Sequence, residues 1–172
     1  MINFNQAYLA ANQEKYIKQA LDGHHIAGDG PFTKKCSHFF EEFFGVKKAL
    51  ITTSCTHALE MSAMLLDLKE GDEVIVPSVS WSTTYSPLQQ YGLKVKFVDI
   101  SLDTLNFDTD KLKKAITEKT RLIFAVNILG NPNEFIKINN IIGDKNIYLL
   151  EDNCESMGAK YENQYTGTFG IA

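Results

Sequence analysis

Residues 71–98 read GDEVIVPSVSWSTTYSPLQQYGLKVKFV, two short apolar runs that flank a polar, hydroxyl-rich segment. Gly71 and Asp72 form a turn signal before the apolar run 73–77, which predicts a buried strand. The polar segment after it predicts a helix, and residues 95–99 predict the next strand. A strand, a helix and another strand in this order predict two parallel strands joined by a helix.

The same alternation continues on both sides of this stretch. Further helices are expected at residues 5–22, at residues 33–44 between a Thr33 cap and Gly45, and at residues 58–68, 110–116 and 134–142. Further strands are expected at residues 49–53, 121–126 and 147–150, and a hairpin at residues 160–167 around Glu162-Asn163. The pattern predicts an α/β fold with a mostly parallel sheet and helices on both of its faces.

The composition favours one globular domain. The chain has 172 residues, of which 44% are hydrophobic and 22% charged, so it can bury a substantial core. We see no linker or internal repeat, and we expect a single domain over residues 1–172. Residues 167–172 form an apolar segment with no terminating signal, so we expect this domain to be a partial one.

Charge and cysteine content exclude several classes of protein. The net charge is −4 and the lysines are scattered, which argues against a nucleic-acid partner. No apolar run approaches the roughly 20 residues of a membrane span, and we expect a cytoplasmic protein. The three cysteines are far apart and form no Cys-x-x-Cys pair, so we expect neither disulfides nor a metal site.

Ligands of parallel sheets bind outside the carboxyl ends of the strands, and one polar loop there is a candidate phosphate site. Residues 53–57 read TSCTH and lead from the expected strand into the expected helix. Free backbone N–H groups at a helix N-terminus favour a phosphate, and Thr56 adds a hydroxyl. The simpler alternative is that Ser54 or Thr56 only caps the helix.

Two further loops follow later strands. The only tryptophan, Trp81, stands among hydroxyl residues after the strand at 73–77, where it either stacks on a planar cofactor or packs in the core. Residues 151–156 read EDNCES after the most hydrophobic strand. Acids at that edge either hold a cationic group or simply end the strand.

Together these loops resemble those of the DegT-type nucleotide-sugar aminotransferase family, which has the aspartate-aminotransferase fold. The similarity rests on GDEVIVPS at 71–78, FVDI at 97–100, and Glu151-Asp152 followed by Gly158-Ala159, and it spans essentially the whole chain. It implies pyridoxal 5'-phosphate or pyridoxamine 5'-phosphate as cofactor, and a partial large domain without the C-terminal small domain.

The resemblance also implies roles for individual residues. Cys55 and Thr56 hold the cofactor phosphate, Trp81 stacks on the pyridine ring, and Asp152 pairs with the ring nitrogen, with Glu155 also expected at the cofactor. A carboxylate at the ring nitrogen keeps that nitrogen protonated, so the ring accepts electrons when a neighbouring C–H bond breaks.

Two subfamilies remain open. From Trp81 onward the chain resembles 3-dehydratases of keto-deoxy sugars such as GDP-4-keto-6-deoxymannose, whereas residues 28–33 and 54–61 look more like 4-aminotransferases of dTDP-keto-sugars. We give more weight to the later loops because they face the cofactor ring. The resemblance implies a nucleotide-sugar substrate, a homodimer, and a decisive histidine or lysine a little beyond Ala172. No catalytic residue is therefore assigned within the chain, and a non-catalytic fragment is the third alternative.

Overall fold

The structure, a computed structural model, describes residues 6–172. The chain divides into two compact units, residues 1–51 and residues 52–172. None of the helices formed by residues 6–172 is long and apolar enough to cross a membrane. Within the same residues, no group of three or more histidines, cysteines or acids is arranged to hold a metal ion.

The first unit contains two helices, α1 at Gln13–Asp22 and α2 at Pro31–Phe44. The helix expected from residue 5 begins only at Gln13; residue 5 itself lies outside the described residues, and the residues from 6 to 12 are not helical. The expected end of α2 is confirmed, because Gly45 adopts the left-handed conformation with φ 67°.

The expected start of α2 at Thr33 is wrong. The N-cap is Gly30, and Pro31 occupies the first helical position. Proline is suited to that position because its fixed φ matches a helix and its missing N–H would have had no partner there.

The strand expected at residues 49–53 is also wrong, since these residues form no strand. Leu50 is 58% exposed and Ile51 is 44% exposed. A strand exists only where its backbone N–H and C=O groups pair with a neighbour, and no described residue forms a ladder with this segment. An apolar run therefore predicted a strand for which the described chain supplies no partner.

The second unit is built on a four-stranded parallel sheet. Its strands are β1 at Glu73–Pro77, β2 at Lys94–Val98, β3 at Thr120–Val126 and β4 at Tyr148–Asp152. Their order is β2-β1-β3-β4, and every neighbouring pair is parallel. Strand β2 therefore lies on one side of β1, whereas β3 and β4 lie on the other, so the strand order changes direction between β1 and β3. Parallel sheets bind ligands at such a switch point, at the carboxyl ends of the strands.

Helices cover both faces of this sheet, as expected. They are α3 at Cys55–Leu65, α4 at Ser82–Gln90, α5 at Thr109–Ala115 and α6 at Phe135–Ile142. Leu59 and Ala63 of α3 and Leu88 of α4 pack on one face. Leu112 of α5 and Phe135 of α6 pack on the other.

The two cores follow from the alternation of side chains along each strand. In β1, Val74 and Val76 enter the core with α3 and α4, whereas Ile75 enters the core with α5 and α6. All three are fully buried, so the strand is apolar on both faces and reads as a continuous hydrophobic run.

A short hairpin follows the sheet. Strands β5 at Lys160–Tyr161 and β6 at Gln164–Tyr165 pair in antiparallel fashion. Glu162 and Asn163 between them both have positive φ, 47° and 67°, as a two-residue hairpin turn of type I′ requires. The hairpin predicted around these two residues is confirmed.

Candidate functional site

Asp152 is the last residue of β4 and is only 3% exposed. Its Oδ2 accepts a hydrogen bond from the Thr84 hydroxyl at 2.9 Å, and its Oδ1 accepts one from the Cys154 N–H at 3.1 Å. The Cys154 thiol is a third donor. Because a carboxylate offers about four acceptor positions, these three donors leave capacity for another. A buried carboxylate at the carboxyl end of a parallel strand is therefore available to a cationic or N–H ligand.

The local sequence explains this position. Leu149 and Leu150 fix β4 in the sheet because they enter opposite cores, which leaves Asp152 at the end of the strand. The short Asp152 side chain then accepts the N–H of the residue two positions later, the usual way in which aspartate ends an extended segment.

Trp81 lies at the same end of the sheet, at the N-cap position of α4. Its carbonyl accepts the Thr84 N–H at 3.0 Å, and the Thr84 hydroxyl in turn donates to Asp152. Thr84 thus links the first turn of α4 to the end of β4. The indole is 76% exposed, so Trp81 is not a core residue and its ring is free to contact a ligand.

The N-terminus of α3 has the geometry of an anion site. Ser54 caps the helix by accepting the His57 N–H at 3.1 Å, and the His57 ring contacts the Thr53 hydroxyl at 2.6 Å. Helix capping, which the sequence left open, is therefore part of the role of this loop. The N–H groups of Cys55 and Thr56 have no acceptor within residues 6–172, and they remain available to an anion at the positive end of the helix dipole.

A cavity of about 240 Å³ joins the end of β4 to the start of α3. It is lined by Cys55, Asp152, Asn153 and Cys154, among others. Burial and then the charge of Asp152 raise the pKa of the Cys55 thiol. Burial, and then a hydrogen bond to Asp152 and its charge, raise the pKa of the Cys154 thiol to about 12. Both thiols are therefore protonated at neutral pH.

Glu155 is placed differently from the other candidates. Its side chain is exposed, and its Oε2 accepts the Leu129 N–H at 2.9 Å. Leu129 has positive φ, 52°, in the short loop that follows β3. Glu155 thus fixes that loop to the turn after β4, while its expected contact with a cofactor remains a prediction.

Sequence reasoning missed the residue that connects these elements. Thr84 is 1% exposed and lies 68 positions before its partner Asp152. Its neighbours Ser82 and Thr83 carry the same hydroxyl, so the sequence offered no reason to select it. Only the packing of α4 against the sheet distinguishes Thr84 from them.

Comparisons with known proteins show the family of the chain. The profile of the DegT/DnrJ/EryC1/StrS aminotransferase family matches residues 7–172. GDP-4-keto-6-deoxy-D-mannose 3-dehydratase of Escherichia coli O55:H7 is 49% identical over 99% of the chain. GDP-perosamine synthase of Escherichia coli O157:H7 is 30% identical over 96% of the chain.

Solved structures give the same result. The Escherichia coli GDP-4-keto-6-deoxy-D-mannose-3-dehydratase with bound hydrated PLP superimposes with a TM-score of 0.94 at 47% identity, covering 99% of this chain and 46% of that one. A GDP-4-keto-6-deoxymannose-3-dehydratase with bound GDP-perosamine superimposes with a TM-score of 0.93 at 48% identity, covering 96% of this chain and 44% of that one. The chain spans less than half the length of the relatives it matches, 46% of the first and 45% of the second.

Proposed function

Because the chain belongs to the DegT/DnrJ/EryC1/StrS aminotransferase family, we propose that it is the cofactor-binding part of an enzyme that removes the C3 hydroxyl of a nucleotide-linked 4-keto-6-deoxy sugar. The observation that carries this proposal is the buried, incompletely paired Asp152 carboxylate, which shares one cavity with Cys55 at the start of α3. The 49% identity to a 3-dehydratase extends over 99% of the chain and therefore includes both halves.

The donors and acceptors of the site fit pyridoxal 5'-phosphate or pyridoxamine 5'-phosphate. Two free N–H groups at a helix N-terminus suit its phosphate, a buried carboxylate suits its protonated ring nitrogen, and an exposed indole suits its flat ring. When bound, this cofactor supplies a ring that accepts electrons from a bond next to its reactive carbon.

Each site residue has a proposed part. Cys55 and Thr56 bind the phosphate through their backbone N–H groups, and the Thr56 hydroxyl adds a donor. Trp81 covers one side of the ring. Asp152 holds the proton on the ring nitrogen, and Thr84 orients that carboxylate. Glu155 acts through the Leu129 loop, which it keeps in place beside the site.

A sugar 4-aminotransferase is the second candidate, favoured by the family profile itself and by the 30% identity to GDP-perosamine synthase. The higher identity to the dehydratase favours 3-dehydration. A non-catalytic role of this chain is the alternative from another class. We also propose that residues 1–172 are part of a larger cofactor-binding domain, that the protein forms a homodimer, and that it works in the cytosol, where nucleotide sugars are dissolved.

An assay of the natural protein, with whatever sequence accompanies this chain, separates these candidates. The protein is incubated with pyridoxal phosphate, glutamate and GDP-4-keto-6-deoxymannose, and the nucleotide sugar is analysed by mass spectrometry. A 3-dehydratase gives a keto-sugar lighter by one oxygen atom. A 4-amino sugar would instead identify the aminotransferase, and an unchanged substrate would contradict both. The Asp152→Asn variant is the control that ties turnover to this site.

A further inference from the structure

Glu151 precedes Asp152 in β4 and is 8% exposed. Its carboxylate receives donors from a distant part of the chain. Oε1 accepts the N–H groups of Phe169 and Gly170 at 2.7 and 2.9 Å. Oε2 accepts the Gly167 N–H at 2.7 Å and the Asn127 side-chain amide at 3.3 Å. These four donors fill the acceptor positions that a carboxylate offers.

The bonded segment lies along the free edge of β4. The Ile171 N–H donates to the Leu149 carbonyl at 2.9 Å, and the Glu151 N–H donates to the Ala172 carbonyl at 3.1 Å. A Cβ at Gly170 would clash with the same Leu149 carbonyl oxygen, so only glycine allows this close approach. Glu151 therefore holds the segment at the point where it begins to run beside the sheet.

Aromatic contacts also hold this segment in place. The Phe169 ring stacks on the buried Phe135 ring of α6 with 4.2 Å between ring centroids. The Phe169 side chain is thus anchored in the core with α5 and α6, while its N–H is anchored on Glu151.

Glu151 lines the cavity itself, and Asn127 connects its carboxylate to the neighbouring turn. Its side-chain amide donates both to Glu151 Oε2 and to Asn153 Oδ1, the latter at 2.9 Å. Asn153 lines the cavity between its neighbours Asp152 and Cys154. The Glu151 carboxylate is therefore coupled to the turn that presents the proposed ring-binding carboxylate.

Only a carboxylate can accept hydrogen bonds from all four donors at position 151. A glutamine at position 151 has one oxygen and one NH₂ group, so its NH₂ would face N–H donors that need an acceptor. Charge-assisted bonds to backbone N–H groups are also stronger than neutral ones.

We propose that Glu151 is a positioning residue for the cofactor site, a role that rests on the proposed function. Its carboxylate holds residues 167–170 against the end of β4 and, through Asn127, fixes the turn that carries Asn153 and Cys154 beside Asp152.

The first test compares Glu151→Gln with Glu162→Gln in the 172-residue chain. Glu162 is exposed in the hairpin turn, so the control makes the same chemical change away from the segment. In Glu151→Gln the amides of Gly167, Phe169 and Gly170 should exchange hydrogen at least about tenfold faster, because each loses either its acceptor or the charge that strengthens the bond. Wild-type protection of these amides would overturn the proposal.

If Glu151→Gln loses protection in β1 as well, it has unfolded, and Glu151→Asp takes its place. The aspartate keeps the charge but is shorter by one methylene group, so the same three amides should lose protection while β1 keeps it. Unchanged protection in that variant would again overturn the proposal.

The second test uses Cys154 as a reporter of the turn, because burial and Asp152 raise its pKa to about 12. If Glu151→Gln loosens the turn, the pKa of Cys154 falls, and each unit of that fall raises the thiolate fraction about tenfold at mildly alkaline pH. Iodoacetamide labelling of the Cys154 peptide should then be faster than in wild type and in Glu162→Gln. An unchanged pH profile would overturn the link to the site.

Neither test uses the cofactor. Failure of the natural protein, with whatever sequence accompanies this chain, to bind pyridoxal phosphate would contradict the proposed function, and failure of these two readouts would contradict the role of Glu151. The two failures are therefore distinguishable.

Discussion

Glu151 and Asp152 are consecutive residues at the end of one strand, yet the surroundings of their carboxylates differ. Glu151 receives four donors, three of them backbone N–H groups of residues 167–170. Asp152 accepts hydrogen bonds from the Thr84 hydroxyl and from the N–H and the thiol of Cys154, in the wall of a cavity that Glu151 also lines. A saturated carboxylate stabilises the fold, whereas a buried carboxylate with unused acceptor capacity is suited to a ligand. The difference predicts that mutations at these two positions separate stability from binding.

The largest effect on stability is expected at Glu151, whose carboxylate has four donors. Replacing Glu151 with alanine leaves three partly buried N–H groups without an acceptor, which should lower the free energy of unfolding by about 3 kcal/mol. Urea unfolding measures this change. The exposed control Glu162→Ala should alter the free energy of unfolding by less than about 0.5 kcal/mol. Equal small changes in the two variants would remove the distinction between the carboxylates.

At Asp152 we expect a small effect on stability and a large effect on cofactor affinity. Asp152→Asn keeps an oxygen for the Cys154 N–H, and the Thr84 hydroxyl can accept from the new NH₂ group, so the free energy of unfolding should change by less than about 1 kcal/mol. Affinity for pyridoxal phosphate, measured by absorbance titration of the natural protein with whatever sequence accompanies this chain, should fall about 10–100-fold, because a hydrogen bond to a charged group is lost. The exposed control Asp103→Asn should bind as wild type does. Loss of stability without loss of affinity would assign Asp152 a structural role.

Thr84 should affect both properties moderately, because it belongs to the fold and orients Asp152. Thr84→Val removes the hydroxyl donor of a buried carboxylate, which should cost about 1–2 kcal/mol in unfolding free energy and lower cofactor affinity about 3–10-fold. Thr84→Ser keeps the hydroxyl and serves as the matched control for both measurements. Equal loss in the two variants would mean that the methyl group matters and the hydrogen bond does not.

The smallest effect is expected at Trp81, which is 76% exposed. Trp81→Ala should leave the free energy of unfolding within about 0.5 kcal/mol of wild type. It should weaken cofactor binding about 3–10-fold through the loss of ring stacking, and Trp81→Phe should retain most of the affinity. Identical titration curves for wild type and Trp81→Ala would exclude the indole from the site.

The sequence predicted the sheet well where one segment carries its own signals. The strand at 73–77 was predicted with the bounds of β1 because a glycine turn precedes a run in which only Glu73 is polar. Residues 49–53 show the limit of that reasoning. Their apolar pattern is typical of a strand, but a strand depends on a neighbouring chain segment that the pattern does not contain.

The sequence also predicted some residues of the candidate site and missed others. The structure brings Cys55 and Asp152 to one cavity and links Trp81 to Asp152 through Thr84, and each of the three candidates follows a recognisable loop pattern. The role of Glu151 could not be predicted, because its backbone donors lie 16 to 19 residues later and carry no side-chain signal.

The central claim is that the Asp152 carboxylate holds a proton on the ring nitrogen of a bound pyridoxal-type cofactor. The most direct measurement is the NMR chemical shift of the isotope-labelled ring nitrogen in pyridoxal phosphate bound at saturating concentration to the natural protein, with whatever sequence accompanies this chain. We predict the shift of a protonated nitrogen in wild type and in Glu162→Gln, and that of a neutral nitrogen in Asp152→Asn. A neutral nitrogen in wild type, a shift that Asp152→Asn leaves unchanged, or no binding at saturating concentration would contradict the claim.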